Sequence, residues 1–281
     1  LWMAAFLARR PAPRTLSELL RPLGLVVGLA AGLILVEPDL GTAIAIAVMV
    51  TGMLVVAGTP SRVLAGGAGI AVTILLAAIW LEPYRRTRFL SFLDPWQDPD
   101  GAGFQSVQAM IALGSGGFLG VGLGESVQKV YYLPEASTDM IFAIVGEELG
   151  LLGSIGVIAA FALFGYAGFN IALRCREPFG KALATGLTAL VCGQAAVNMG
   201  AVLGLLPLTG IPLPFVSYGG SSLVIGLASV GVLLNIAVNG ERKEAQVPDR
   251  RRRDSRTRPA GARGRGGARG ARRGRELRRY A

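Results

Sequence analysis

The chain has no histidine and only two cysteines, Cys175 and Cys192, among its 281 residues. Those absences exclude a histidine general base, a Cys/His zinc site and a disulfide scaffold. Cys192 lies in an apolar run and reads as a small buried residue. Charge is scarce as well. Only 16% of the residues are charged and 52% are hydrophobic, which fits a polytopic membrane protein better than a soluble globule. A nucleotide fingerprint is also missing. The glycine cluster Gly114 to Gly124 includes a Gly-x-Gly spacing, but no βαβ unit flanks it, and helix packing and turns account for it better. No secretory signal stands at the start. Leu1 to Ala8 is apolar but too short to span, no small-residue cleavage site follows, and the chain reads as a fragment that begins inside a helix.

What is present is a series of long apolar runs. They cover Leu23–Val36 (with Leu19 and Leu20 available to extend it), Gly41–Gly58, Val63–Leu81, Met140 to about Leu173, Ala182–Leu206 and Ser221 to about Val238. Each longer run approaches the ~20 residues that a bilayer core requires. The expected fold is therefore an all-α polytopic membrane protein with about six spans. The expected membrane domain is 1–241, with a large extracytoplasmic loop over 82–139. Arg9, Arg10, Arg14, Arg21, with Pro11, Pro13 and Pro22, form a basic connection ahead of the first span. A helix is expected over Gln105–Leu113, lying at the interface.

The net charge of +10 is misleading until it is located. Residues 242–281 carry 15 Arg and one Lys against four acids, whereas residues 1–241 carry 12 basic and 14 acidic residues. The Arg/Gly-rich tail has little to bury and is expected to be disordered. On a membrane body it is expected to meet anionic lipid rather than nucleic acid. Six spans put both termini on one face. Arg9, Arg10, Arg14, Arg21, Arg62, Arg174, Arg176, Lys181 and the tail share it, so the positive-inside rule makes that face cytoplasmic. Arg85, Arg86, Arg88 and Lys129 are the basic residues that fall on the opposite face, where they are candidates for phosphate contact; solvated loop charges are the plainer reading of any one of them.

The stretch Tyr131-Tyr132-Leu133-Pro134-Glu135-Ala136-Ser137-Thr138-Asp139-Met140-Ile141-Phe142 passes from a polar loop into a long apolar helix. Two roles are open to Asp139 at that junction. It can cap the helix, or it can act as a base at the membrane edge. The roles oppose each other, because donation from backbone N–H groups lowers a carboxyl pKa and weakens the base. Glu147 and Glu148 lie inside the apolar helix, where carboxylates are costly and face a cavity or a partner. At 100° per residue, Glu147 is the nearer of the two to the direction of Asp139. A structural ion pair is the alternative for both. Asp39 either caps the second span or lines a cavity. The loop from Pro207 to Ser222 offers the hydroxyls of Ser217, Tyr218, Ser221 and Ser222, and is expected to cover the site.

Several short motifs occur together in a fixed order. They are Glu37-Pro38-Asp39-Leu40-Gly41-Thr42; Phe92-Leu93-Asp94-Pro95-Trp96 with Asp98-Pro99; Gly103-Phe104-Gln105 with Gln108; Ala112 to Gly117; Gly120 to Gly124; and Gln128-Lys129. The stretch around Asp139, then Asn198-Met199-Gly200 and Pro212 to Ser222, completes the set. Their order and spacing over about 200 residues resemble the SEDS family of membrane proteins, whose division and elongation members are FtsW and RodA. Asp-Pro-Trp, Tyr-Leu-Pro-Glu-Ala and Gly-Glu-Glu-Leu-Gly look more like FtsW. Ser137, Met140 and Phe104 depart from the usual residues, and no carboxylate is lost. Family members have about ten spans, and the six here match the last six.

The resemblance implies a peptidoglycan glycosyltransferase acting on lipid II, with Asp139 as general base and undecaprenyl pyrophosphate as leaving group. Arg85, Arg86, Arg88, Lys129, Gln105, Glu147 and Ser217 are the expected substrate-binding residues. The sequence requires no cofactor and leaves room for a divalent cation such as Mg or Mn. The implied partners are a class B penicillin-binding transpeptidase and other divisome membrane proteins, at the septum of a bacterial plasma membrane. Two other readings share the polytopic fold: a lipid II flippase and a non-catalytic division scaffold. A transporter is expected to place its key charges near the bilayer midplane, at broken helices.

Overall fold

The computed structural model describes residues 1–36 and 39–245, without the side chains of residues 35, 36, 131 and 240–245. Glu37, Pro38 and the expected disordered tail from residue 246 onward lie outside the described residues. The chain divides into a unit Leu1–Arg242 and a second unit Lys243–Ala281. The described residues are helical or irregular, with no strand among them. Six segments are long and apolar enough to cross a membrane: Leu16–Ile34, Leu40–Ala57, Ser61–Leu81, Ile141–Arg174, Pro178–Val202 and Gly220–Asn239.

The helices are α1 (Trp2–Arg9), α2 (Leu16–Glu18), α3 (Leu25–Val36), α4 (Leu40–Ala57), α5 (Ser61–Leu81), α6 (Pro83–Leu93), α7 (Phe104–Gly116), α8 (Val127–Tyr131), α9 (Ile141–Arg174), α10 (Pro178–Val202) and α11 (Gly220–Ala245). Their ends follow local chemistry. The Asp39 carboxylate accepts from the Thr42 N–H at 2.9 Å and caps α4, which resolves its two expected roles. Gly58, with φ +88°, closes the same helix in the left-handed conformation that glycine adopts without strain. Pro178 starts α10, where a missing N–H costs nothing. Pro22, expected in a connection, lies inside the helical run, because a π-helical turn over Leu19–Gly24 joins α2 to α3. The wider turn changes the hydrogen-bond register locally, so the proline is accommodated.

The central helix is α10. Of its most apolar window 72% is buried, against 11–22% for the other five spans. The others turn apolar side chains outward, as lipid-facing helices do. Between spans, packing relies on small residues that let backbones approach. Gly186 and Gly193 of α10 face Met53 and Val48 of α4, while Gly165 and Gly168 of α9 face Cys192 and Thr188 of α10. The α1 segment adds Met3, Ala4 and Leu7 to a cluster with Met53, Leu54 and Leu183.

The long connection between the third and fourth spans is more ordered than its sequence suggests. It contains α6, α7 and α8. The interfacial helix expected over Gln105–Leu113 is α7, and its Ala109 and Ala112 are buried in a cluster with Phe142, Ala143 and Ala195. One face of α7 is thus packed against the protein body, while Ile111 and Ser115 stay exposed.

The fourth span is interrupted. Gly150 has φ +66° and ψ −158°, which breaks the helical path of α9. The glycine loop after α7 enters that break. The N–H groups of Val121 and Gly122 donate to the Glu147 and Glu148 carbonyls at 3.0 and 3.1 Å. The carbonyls of Gly117 and Phe118 accept from the Leu151 and Leu152 N–H groups at 2.9 and 3.4 Å. The groups freed by the break therefore find partners in the loop, as buried backbone requires. This is the turn-and-packing role expected of the Gly114–Gly124 cluster. A Cβ on Gly120 would collide with the Glu148 carbonyl, so the close approach needs glycine.

Candidate active site

Asp139 lies between α8 and α9, outside the apolar span. The N-cap of α9 is Met140, with no side-chain cap hydrogen bond. Asp139 therefore does not spend its carboxylate on the helix end, and the capping role left open by the sequence is not the one it takes. Its Oδ1 accepts from the Thr138 hydroxyl at 3.0 Å. Burial pushes the Asp139 carboxyl above its ordinary value of 3.8. The Thr138 hydroxyl and a backbone hydrogen bond pull the other way, the Glu135 charge adds to the rise, and the Arg88 charge opposes it. A carboxylate raised in this way is a stronger base than an exposed one.

Three elements hold the backbone around Asp139. From α10, the Asn198 amide donates at 2.7 Å to the Asp139 carbonyl and at 2.7 Å to the Ile211 carbonyl. From the loop after α10, the Ser217 hydroxyl donates to the Thr138 carbonyl and accepts from the Leu213 N–H at 2.7 Å. The Tyr218 N–H donates to the Ser137 carbonyl at 2.8 Å. The 203–219 loop and the Asp139 loop are thus latched to each other, with Asn198 buried between them. Phe142 and Met140, both fully buried, lock the start of α9 from below.

Beside this latch is a cleft of about 280 Å³ lined by Tyr84, Thr87, Arg88, Gly101, Ala102, Phe104, Gln105 and Pro134. Arg88 donates to the Gln105 side-chain Oε1 at 3.4 Å, and the Gln105 side-chain amide donates to the Pro134 carbonyl at 3.5 Å. The chain Arg88–Gln105–Pro134 thereby ties α6 and α7 to the loop that carries Asp139.

The remaining expected site residues fall elsewhere. Arg85 donates to the Ala78 carbonyl at 3.2 Å. Arg86 stacks over Trp80, with its guanidinium 5.8 Å from the ring centre. Lys129 pairs with Glu148 at 3.9 Å. The Glu147 carboxylate is buried and accepts from the Ser126 hydroxyl and, at 3.2 Å, from the Val127 N–H. It holds the start of α8, the helix that leads into the Asp139 loop. Of the expected binding residues, Arg88 and Gln105 line the cleft and Ser217 belongs to the latch. Asn198 was not expected in the site, although a polar side chain inside an apolar run is the kind of signal that marks an interior contact. Among the described residues, no three His, Cys, Asp or Glu side chains cluster as a metal site.

A multi-pass α-helical membrane protein is thus defined, with a partly buried carboxyl held at one end of the bundle by a two-loop latch and beside it a cleft carrying one arginine, Arg88. The chain belongs to the FtsW/RodA/SpoVE family of cell cycle proteins, whose pattern matches residues 1–242. It is 44% identical over 216 residues to the "Probable peptidoglycan glycosyltransferase FtsW" of Geobacter metallireducens, covering 77% of this chain and 58% of that one. It is 42% identical over 268 residues to the protein of the same name from Alkalilimnicola ehrlichii, covering 92% of this chain and 66% of that one. Among solved structures it resembles a chain from "Structural coordination of polymerization and crosslinking by a peptidoglycan synthase complex", with TM-score 0.68 and 30% identity over 85% of this chain and 66% of that chain. It also resembles the Rod shape determining protein RodA of Thermus thermophilus, with TM-score 0.55 and 28% identity over 84% of this chain and 61% of that chain. The chain therefore spans about three fifths of the length of the curated relatives it matches.

Proposed function

We propose that the protein to which this chain belongs polymerises lipid II into glycan strands, with Asp139 as the general base. The observation that carries this reading is the state of Asp139. Its carboxyl is partly buried, raised in pKa, free of any capping duty and fixed through its backbone by Asn198. Asp139 takes the proton of the acceptor sugar hydroxyl as that oxygen attacks the anomeric carbon of the second lipid II. The bond to the undecaprenyl pyrophosphate breaks in the same step. Arg88, on the cleft and within electrostatic reach of Asp139, supplies positive charge for the departing pyrophosphate.

Height above the membrane supports this assignment. The helical residues Ile141–Leu149 before the break in α9 rise at most about 14 Å. The headgroup layer on one side of a bilayer is about 5–8 Å thick. With Gly150 near the hydrocarbon boundary, a carboxyl at the start of α9 would reach the level of the sugars of a lipid-linked substrate, just beyond its phosphates. A flippase is expected to keep its decisive charges near the midplane instead. The partner proposed for the full protein is a class B penicillin-binding transpeptidase, because one structural relative is part of a peptidoglycan synthase complex. The proposed orientation puts the Asp139 end outside the plasma membrane, with work at the division septum.

Two assays on the full-length parent separate the readings. With purified lipid II and the transpeptidase, glycan strands are expected on a gel. In liposomes, a fluorescent lipid II is expected to stay in its leaflet. Translocation without polymer would replace the polymerase with a flippase.

A further inference from the structure

We infer that the loop Gly117–Gly124 is an interfacial anchor, with Phe118, Leu119 and Leu123 seated in the outer leaflet of the bilayer. Three independent features lead there. The first is depth. The part of α9 beyond the break, Leu151–Arg174, is about 36 Å long, and the hydrocarbon core is about 30 Å thick. With Arg174 at one boundary, Gly150 falls within a few ångströms of the other. The loop that fills the break therefore lies where hydrocarbon meets headgroups.

The second feature is chemistry. Residues Gly114 to Gly124 include no charged side chain. Phe118, Leu119 and Leu123 are 77%, 78% and 77% exposed. A contiguous apolar patch of this kind is uncommon on a surface that faces only water. Leu151, Leu152 and Ile155, just past the break on α9, are exposed as well, so the patch continues the lipid-facing surface of that span. The third feature is backbone satisfaction. Irregular backbone is tolerated near hydrocarbon only when its polar groups are paired. The Val121 and Gly122 N–H groups and the Gly117 and Phe118 carbonyls are paired within α9. With those four backbone groups paired to α9, the loop can offer Phe118, Leu119 and Leu123 to lipid with part of its polar backbone already satisfied.

An anchor at that level would set the height of α7, α8 and the Asp139 loop above the bilayer. The inference concerns placement and does not depend on the reaction assigned to Asp139.

The test uses spin labels on the full-length parent in lipid nanodiscs, cleared of its native cysteines. Leu119→Cys and Leu123→Cys carry labels in the loop, and Gln97→Cys, on the exposed polar turn after α6, carries a reference label in water. Collisions with oxygen and with a water-soluble nickel chelate are measured for each. Labels on Leu119→Cys and Leu123→Cys are expected to collide with oxygen several-fold more than with nickel, and to report immersion of about 5–10 Å. The Gln97→Cys label is expected to show the reverse preference. Loop labels as open to nickel as the reference would overturn the anchor. So would loop labels shielded from both reagents, which would mean that protein covers the patch. Unchanged thermal melting of the two loop variants would show that the labels report the native arrangement.

Discussion

Removing the Asn198 side chain is expected to damage the reaction far more than the fold. Its amide makes two hydrogen bonds of 2.7 Å, to the Asp139 and Ile211 carbonyls, and the residue is buried. Asn198→Ala leaves both carbonyls without that donor. Losing a typical hydrogen bond costs about 0.5–1.5 kcal/mol, and stranding a buried acceptor costs about 1–3 kcal/mol. For two acceptors the local cost is then roughly 2–6 kcal/mol, toward the low end because the Asp139 carbonyl is only part-buried. Ser217 and the Tyr218 N–H still join the two loops, so the local loss is expected to loosen the latch rather than unfold the bundle. A misplacement of about 1 Å at a reacting group can cost 10²-fold in rate. Glycan-strand formation by the full-length parent is therefore expected to fall by about 10²-fold in the Ala variant, with a melting shift of a few degrees. Asn198→Asp keeps the shape but replaces the donor with acceptor oxygens facing two carbonyls, and it is expected to be at least as impaired. A polymerisation rate for Asn198→Ala within threefold of the parent would refute the reasoning.

Four further outcomes follow from the structure. Because burial raises the Asp139 pKa and the Arg88 charge lowers it, Arg88→Gln is expected to move the acid limb of the pH–rate profile to higher pH; a limb that stays or moves down would contradict the assignment. The same shift has a stability sign. The folded protein binds a proton at Asp139 more readily than the unfolded chain, so this contribution is complete below the ordinary pKa of 3.8 and is lost as pH rises through the folded value. Asp139→Asn is then expected to melt no lower than the parent at neutral pH. Gly120→Ala is expected to destabilise by more than about 2 kcal/mol, because φ is +82° and the added carbon meets the Glu148 carbonyl; thermal melting in detergent measures it. Glu147→Ala strands the Ser126 hydroxyl and the Val127 N–H at a cost of about 1–3 kcal/mol each, and Glu147→Gln, which keeps an acceptor, is expected to lose less; equal losses would show that the contacts are not what Glu147 contributes.

The spans were legible in the sequence because lipid imposes a length and an apolar composition that no other context requires. Hydrophobic runs alone placed five of the six to within a few residues. The first was harder, because Pro22 reads as a break and a π-helical turn absorbs it. Asp139 was legible as a carboxylate at a helix start, but its two roles could not be separated there. That separation depends on the Thr138 hydroxyl and the displaced N-cap, both matters of backbone geometry. Glu147 shows the limit of periodicity. Its helical direction suggested a cavity, whereas its actual partners come from Ser126 and Val127, twenty or so residues earlier in the chain. The break at Gly150 was hidden for the same reason: its sequence is an ordinary apolar helix, and the cause lies in a glycine loop about thirty residues upstream that supplies the missing hydrogen bonds.

The central claim is that Asp139 carries the reaction, and single-turnover polymerisation of lipid II by the full-length parent and its Asp139→Asn variant tests it most directly. Both proteins are assayed with the transpeptidase present, and lipid II binding is measured in parallel. The account predicts glycan strands from the parent and none from a folded variant that still binds lipid II. Strands from Asp139→Asn at the parental rate would contradict it.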